Sequence, residues 1–200
     1  MKKITGTTTV LAAALLTLGI TAVTQAALLT PVSVTGSGSF INIQYIDDGV
    51  FPNESGYWKT NTTYWYGTAS AFVFDYGDIV TIDDITLSVD NNDSYQVDYS
   101  TDNSTWNTLF TISSSIGEIG WGMDTMSTLS TNPEYQASID FASVDARYLR
   151  IAAIGGDYAY AVGEFQVDGS AGPAPVPEPA TMFLFGTGLA GLVGARRRKN

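Results

Sequence analysis

The chain has 200 residues with no cysteine and no histidine, and its 20 acidic and 9 basic residues give a formal net charge of −11. The missing residue types exclude disulfides, thiol and imidazole nucleophiles, and zinc sites of the Cys/His type. Six of the basic residues lie at the two ends, so the region between them has three basic and nineteen acidic residues, a net charge near −16 that argues against nucleic acid as a partner.

Residues 1–26 have the features of a secretory signal peptide. Two lysines precede a mostly apolar segment over 10–20, and Thr24 and Ala26 occupy the third and first positions before the predicted cut. A transmembrane anchor is the alternative, but the threonines and the short apolar core favour cleavage. The sequence therefore predicts export.

Residues 27–169 show the period-two alternation of β-strands. The predicted strands are 70–76, 82–89, 95–99, 106–112, 137–141, 149–153 and 165–167. Asn, Asp, Gly and Ser separate these segments at hairpin-like intervals, and no part of the region has a convincing amphipathic helical pattern. We expect a single all-β sandwich domain.

Aromatic residues are concentrated in a loop-like segment and in a few other predicted loops. The loop-like segment contains Tyr57, Trp58, Tyr64, Trp65 and Tyr66, and the other loops contain Trp121, Tyr158 and Tyr160. Sugar recognition commonly uses an aromatic ring against the apolar face of the sugar, although each of these rings could instead pack in the core. Tyr57, Trp58, Trp121 and Tyr158 are the candidate ligand-binding residues, and Trp121 is the leading one because Gly120 and Gly122 flank it.

The charged side chains of the domain offer no catalytic arrangement. Asp83 and Asp84 are adjacent in a predicted strand, so they point to opposite faces rather than flanking one glycosidic bond. Without histidine no ordinary Ser-His-Asp triad can form. We expect a protein that is not an enzyme, in which Arg147 and Arg150 pair with nearby carboxylates or cover the apolar rim.

The C-terminal part begins with a Gly/Pro/Ala linker over 170–179 and continues as a separate segment over 176–200. Residues 180–195 carry no charged side chain and are at the short end of the length needed for a transmembrane helix. The basic residues that follow predict a cytoplasmic C-terminus. A buried helix of a soluble domain is the alternative, but such a helix would show a polar stripe.

This order of features resembles the PEP-CTERM sorting signal of Gram-negative bacteria. The matching residues are Pro177, Glu178, Pro179, Arg196, Arg197, Arg198 and Lys199. The resemblance implies recognition by an exosortase, a transient anchor in the inner membrane, and delivery to the cell envelope or the exopolysaccharide matrix.

The domain itself resembles the discoidin or coagulation-factor C-domain family of galactose-binding-like jelly rolls. The segments that carry the resemblance are 46–49 (IDDG), 72–87, 95–106 (YQVDYSTDNSTW), 146–151 (ARYLRI) and 162–169 (VGEFQVDG). The family likeness implies a jelly-roll β-sandwich. Residues 116–133 are longer than the equivalent loop of the family, and we expect a long loop there.

The same resemblance implies one structural calcium ion. Many carbohydrate-binding relatives hold it with the Asp of an Asp-Gly loop and a Glu near the last strand, which match Asp48 and Glu164 here, with Asp47 as a substitute. Backbone carbonyls from 50–58 could complete the six to eight oxygen ligands that calcium takes. The alternative is an ordinary acidic turn with a salt bridge.

Three functions are compatible with these features. The first is a non-catalytic module that binds exopolysaccharide or a surface glycan. The second is a structural matrix or biofilm protein with no specific small ligand. An ice-binding surface protein is a distant third, because the chain has neither repeats nor regular threonine arrays.

Overall fold

The computed structural model describes residues 26–172, where the chain forms ten β-strands and one turn of 3-10 helix at Ile43–Tyr45. The strands are β1 (Ala27–Leu29), β2 (Ser33–Ser37), β3 (Phe40–Ile41), β4 (Thr63–Tyr66), β5 (Ala71–Asp90), β6 (Ser94–Ser100), β7 (Asn107–Ile112), β8 (Met123–Ser127), β9 (Val144–Gly155) and β10 (Ala159–Ala171). No helix within this range is long and apolar enough to cross a membrane. The predicted signal peptide, except Ala26, and the predicted sorting segment with its helix over 180–195 lie outside the described residues.

Strand β5 organises the sandwich because it takes part in both layers. On one edge β5 pairs with β2 up to Asp75 and with β10 from Val80 onward, and on the other edge it pairs with β9 up to Ile82 and with β8 from Thr86 onward. The exchange of β2 for β10 falls at a register irregularity between Asp75 and Val80, where a bulge redirects the strand. From β5, one layer continues through β9, β6 and β7, and the other continues through β10, β4 and β3.

Aromatic side chains fill the space between the layers. Trp65 of β4 is 1% exposed, and its ring lies 4.9 Å from Phe72, 5.9 Å from Tyr160 and 6.3 Å from Tyr95 between centroids. The Tyr95 hydroxyl donates to the Ala161 carbonyl at 3.1 Å and accepts from the Ala161 N–H at 3.2 Å. These contacts join β6 of one layer to β10 of the other, which confirms the expected all-β sandwich.

Two of the predicted strands are parts of one longer strand, and one predicted strand is absent. Segments 70–76 and 82–89 fall almost entirely within β5. Segment 137–141 forms turns and irregular structure, and the Ile139 N–H donates to the Gln136 carbonyl. Ile139 is nevertheless fully buried, and Phe141 stacks on Phe110 at 5.8 Å. The apolar alternation of this segment thus comes from side chains that cover the core edge, not from a sheet ladder.

Two segments that the sequence analysis treats as loops contain strands. Residues 116–133 include β8, which pairs with the end of β5. Alternation fails there because Met123, Asp124 and Met126 are all buried, so the pattern of β8 has no exposed polar face. Residues 63–66 form β4. The alternation along this strand buries Trp65, whereas the tyrosines on either side of it are only partly buried or exposed.

The two arginines pair with carboxylates as expected. Arg147 makes a two-bond contact with Asp75, at 2.8 and 3.0 Å. Arg150 reaches Asp98 at 2.7 Å and lies over the ring of Trp106. Both guanidinium groups are thereby committed to structural ion pairs within the sandwich.

Candidate functional site

Four connections meet at one end of the sandwich. They are the segment over 42–62, the β5–β6 turn, the β7–β8 connection and the β9–β10 turn. Together they enclose a depression of about 280 Å³, which we name the aromatic–acidic pocket. Its lining includes Tyr57, Trp58, Asp90, Asn92, Trp121 and Asp157. The structure thus brings three of the four candidate ligand-binding residues into one pocket.

Backbone hydrogen bonds place Tyr57 beside Trp121, although 64 residues separate them. The Met123 N–H donates to the Gly56 carbonyl at 3.1 Å, which ties the loop that carries Tyr57 to the start of β8. Gly122 adopts φ +84°, and a Cβ there would lie 2.8 Å from the same Gly56 oxygen, so only glycine fits this junction. The side chains of Tyr57 and Trp121 are 58% and 66% exposed. Two large rings therefore face solvent at the rim of the pocket.

Asp90 gives the pocket a buried acidic group. Asp90 is 3% exposed, and its Oδ1 atom has no hydrogen-bond partner within the described residues. Burial, with a contribution from the charge of Asp157, raises the pKa of Asp90 to about 6, and the Gly122 backbone N–H opposes this rise. A buried carboxylate oxygen without a donor is costly, so a donor that reached the Asp90 carboxylate from the pocket would stabilise it.

Two further acids lie beside Asp90. The Asp157 N–H donates to Asp93 Oδ1 at 2.9 Å, and the carboxylate of Asp157 accepts from Asn92 Nδ2 and from the Ala159 N–H, both at 3.0 Å. Asp93 is fully buried with an unpartnered Oδ2, and burial raises the pKa of Asp93 to about 7. The pocket therefore lies above a concentrated negative charge.

Trp58 belongs to an aromatic cluster next to the pocket. Its ring packs edge-to-face on Tyr64 and Tyr66, with centroids 5.4 and 5.8 Å away. Lys59 Nζ lies 4.5 Å from the Trp58 centroid and donates to the Tyr66 hydroxyl at 2.8 Å. Tyr158 lies 6.2 Å from Tyr66 and joins this cluster, not the pocket lining. Among the four candidate ligand-binding residues, Tyr158 is thus the one that the structure places outside the pocket.

Sequence patterns alone do not identify Asp90, Asn92 and Asp157 as site residues. The turn after 82–89 has an ordinary hairpin composition, in which acidic residues are common. The available signal was the position of Asp90, which directly follows the buried residues of the β5 strand and remains buried itself. A buried acid at the end of an apolar strand indicates a functional site more strongly than an acid in a solvated turn does.

A second acidic depression lies beside the loop over 46–49, with a volume of about 230 Å³. Asp47, Asp48 and Glu164 all line it. Glu164 is fully buried, and its Oε2 atom accepts from the N–H groups of Asp48 and Gly49 at 3.1 and 3.0 Å. The structure therefore brings together the three candidate calcium ligands, although Asp48 and Glu164 are 116 residues apart.

The residues of this depression fit a hard cation. The Oε1 atom of Glu164 is buried without a partner, and burial raises the pKa of Glu164 to about 7. A cation beside Oε1 would satisfy that oxygen and favour the ionised carboxylate. Within residues 26–172 no three acidic side chains form a metal-binding group on their own, so a cation here would also need backbone carbonyls as ligands.

Solved structures with this fold include carbohydrate-binding modules. The CBM32 of AlyQ in complex with 4,5-unsaturated mannuronic acid has a TM-score of 0.51 and 18% identity, over 70% of this chain and 97% of that chain. Truncated AlyQ with CBM32 and alginate lyase domains also has a TM-score of 0.51 and 18% identity, over 76% of this chain and 35% of that chain. This chain spans about a third of that longer protein, and the likeness falls on its CBM32 module. The described residues thus share the β-sandwich fold of these modules.

The F5/8 type C domain model matches residues 29–164, which is more than half of the chain, and the chain belongs to that family. The PEP-CTERM protein-sorting motif matches residues 175–199. Both resemblances stated from the sequence are thereby confirmed. A PEP-CTERM motif implies an exported protein that is sorted to the cell envelope. No curated protein matches the chain.

Proposed function

We propose that residues 27–169 form a non-catalytic module that binds exopolysaccharide or a surface glycan. The observation that carries this proposal is the aromatic–acidic pocket, where two exposed aromatic rings stand beside a buried carboxylate with an unpartnered oxygen. Sugars present an apolar C–H face and a set of hydroxyl donors. Tyr57 and Trp121 provide surfaces for that face, while Asp90 and Asn92 provide acceptors and donors for the hydroxyls.

A neighbouring depression makes an oligosaccharide a better ligand than a single sugar. It has a volume of about 340 Å³, lies along 50–61 and shares Tyr57 with the aromatic–acidic pocket. A chain of sugar rings that contacts Tyr57 could therefore extend into both depressions. The sugar bound in the complex of the AlyQ module supports a saccharide as the ligand, without indicating which one.

The two ends of the chain direct this module to its place of action. The signal peptide over 1–26 starts export, and the segment over 176–200 is recognised by an exosortase after a transient anchor in the inner membrane of a Gram-negative bacterium. Cleavage near Pro177, Glu178 and Pro179 then releases the module to the envelope or the extracellular matrix. The PEP-CTERM match supports this route.

We also place one structural calcium ion between Asp48 and Glu164, with Asp47 as an additional ligand. The unpartnered Oε1 atom of Glu164 supports this assignment. The ion would fix the loop over 46–49 against β10. It has no chemical role in ligand binding, because the depression that would hold it is separate from the aromatic–acidic pocket.

Trp121→Ala should weaken glycan binding by about tenfold or more, since an exposed aromatic ring that covers a ligand face is a typical hot spot. Binding of the purified domain, residues 27–172, to a broad glycan array identifies the ligand, and isothermal titration calorimetry then measures the variant. Tyr148→Ala is the matched control, because Tyr148 lies on β9 outside the pocket and is half-buried. A domain that binds no glycan on the array would contradict the proposal and favour the structural matrix protein.

Replacement of Arg196, Arg197, Arg198 and Lys199 by Gln should block processing of the C-terminal segment. A stretch without positive charges loses the signal that keeps its end on the cytoplasmic side. Immunoblots of membrane and extracellular fractions from a host with an exosortase would then show a longer product retained in the cells. Wild-type size and delivery of the variant would contradict the role assigned to these residues.

A further inference from the structure

The charges around the aromatic–acidic pocket are of one sign. Asp90 and Asp157 line the pocket, and no basic residue does so. Arg147 and Arg150 are held in ion pairs with Asp75 and Asp98. An anionic ligand in this pocket would thus meet two carboxylates without a compensating cation.

The remaining basic residue of the described range, Lys59, is directed to the aromatic cluster. Its ammonium group lies over the rings of Trp58, Tyr64 and Tyr66, at 4.5, 5.3 and 5.4 Å from their centroids. It also donates to the Tyr66 hydroxyl. Lys59 does not line the pocket, so it supplies no hydrogen-bond donor to the unpartnered Oδ1 atom of Asp90.

An ammonium group of a ligand would stabilise the buried Asp90 carboxylate better than a hydroxyl group would. Asp90 is 97% buried with a free Oδ1 atom, and a hydroxyl would supply one hydrogen bond but leave the buried negative charge uncompensated. An ammonium group supplies up to three donors together with a positive charge. The nearby rings of Tyr57 and Trp121 favour a cation as well, through the negative faces of their π-systems.

We propose that the aromatic–acidic pocket selects glycans with free amino groups, such as polymers of glucosamine, over neutral and acidic glycans. The ammonium group of one sugar ring pairs with the carboxylate of Asp90, which lines the pocket, and the ring rests against Trp121. This inference rests on the proposed glycan-binding function and specifies its ligand class.

Three tetrasaccharides of matched length test the inference by calorimetry at pH 7: glucosamine, N-acetylglucosamine and mannuronate. The glucosamine tetramer should bind at least about tenfold more tightly than its neutral N-acetylated counterpart, and the mannuronate tetramer should not bind measurably. Asp90→Asn should abolish the difference between the first two ligands. Because Asn keeps the shape and removes a buried charge, the variant should fold, and its melting temperature verifies that.

Asp78→Asn is the matched control for overall charge. Asp78 is exposed and lies at the bulge of β5, far along the strand from Asp90, so the variant changes net charge equally without altering the pocket. Equal loss of glucosamine binding in both variants would show attraction by the acidic surface as a whole and overturn the inference. Equal affinity of the wild type for the glucosamine and N-acetylglucosamine tetramers would overturn the amino preference but leave the glycan-binding function intact. Failure to bind any glycan would overturn both.

Discussion

The calcium-free domain should lose several kcal/mol of stability between pH 5 and pH 8. Four carboxyl groups are almost fully buried and have raised pKa values: Asp90 and Asp124 at about 6, and Asp93 and Glu164 at about 7. The first cause of each rise is burial, which penalises the charged form. Each group has at least one oxygen without a partner in the described residues.

The sign of the effect follows from proton binding. In the unfolded chain these groups titrate near 4, so at pH 5 the folded domain holds protons that the unfolded chain has released. Stability therefore falls as pH rises, until the groups of the folded domain are also ionised just above pH 7. At about 1.4 kcal/mol per pKa unit, Glu164 and Asp93 should each contribute about 2 kcal/mol to the loss. Urea titrations in a chelator at pH 5 and pH 8 measure it.

Calcium should reverse part of this loss at pH 8, because the ion binds ionised Glu164. A concentration about 100 times the dissociation constant would stabilise the domain by about 2.7 kcal/mol. Glu164→Gln should remove the calcium response and also reduce the pH dependence. Glu118→Gln is the matched control, since Glu118 is exposed and remote from the depression that contains Glu164.

Two separate results would contradict these expectations. Equal stability at pH 5 and pH 8 in chelator would mean that the buried carboxylates keep ordinary pKa values, with donors that the described contacts do not include. An unchanged melting temperature across millimolar calcium at pH 8 would remove the calcium ion between Asp48 and Glu164. The second result would leave the proposed glycan-binding function untouched, because that function depends on the other depression.

The sequence predicted the fold better than the site, and the reason is the range of the interactions. Alternation is a local property, so it identified the strands that have one buried and one exposed face. It failed for β8, where Asp124 is buried among methionines, and for 137–141, where Ile139 is buried without strand pairing. The proximity of Asp48 to Glu164 was predictable only through the family resemblance, since no local pattern links positions 116 residues apart.

The aromatic–acidic pocket shows the same limit more clearly. Its walls come from four connections, and its acidic group, Asp90, looks like an ordinary turn residue in the sequence. Exposure of a tryptophan is likewise not a local property. Trp58 and Trp65 lie seven residues apart in one aromatic segment, yet Trp65 is in the core and Trp58 lines the pocket. The pairing of β4 with β10 turns Trp65 into the core, whereas Trp58 lies in the loop before β4.

Trp65→Ala should destabilise the domain by about 3–5 kcal/mol, the usual cost of removing a large buried aromatic side chain. Trp65 is 1% exposed and contacts rings from both layers of the sandwich, so its removal leaves a cavity that the rigid sheets cannot close. Urea denaturation at pH 6 measures the change. Trp65→Phe should cost much less, because it keeps an aromatic ring in place and removes the indole N–H, which has no partner in the described residues.

Trp121→Ala should have the opposite effect, because it should impair binding and leave stability almost unchanged. Trp121 is 66% exposed, so its truncation should change stability by no more than about 0.5 kcal/mol while it weakens glycan binding. A destabilisation of Trp121→Ala as large as that of Trp65→Ala would place Trp121 in the core and contradict the pocket described here. A small effect of Trp65→Ala would instead mean that the two layers do not meet around this ring. The two tryptophans thus separate the residues that hold the sandwich together from those that its loops present to a ligand.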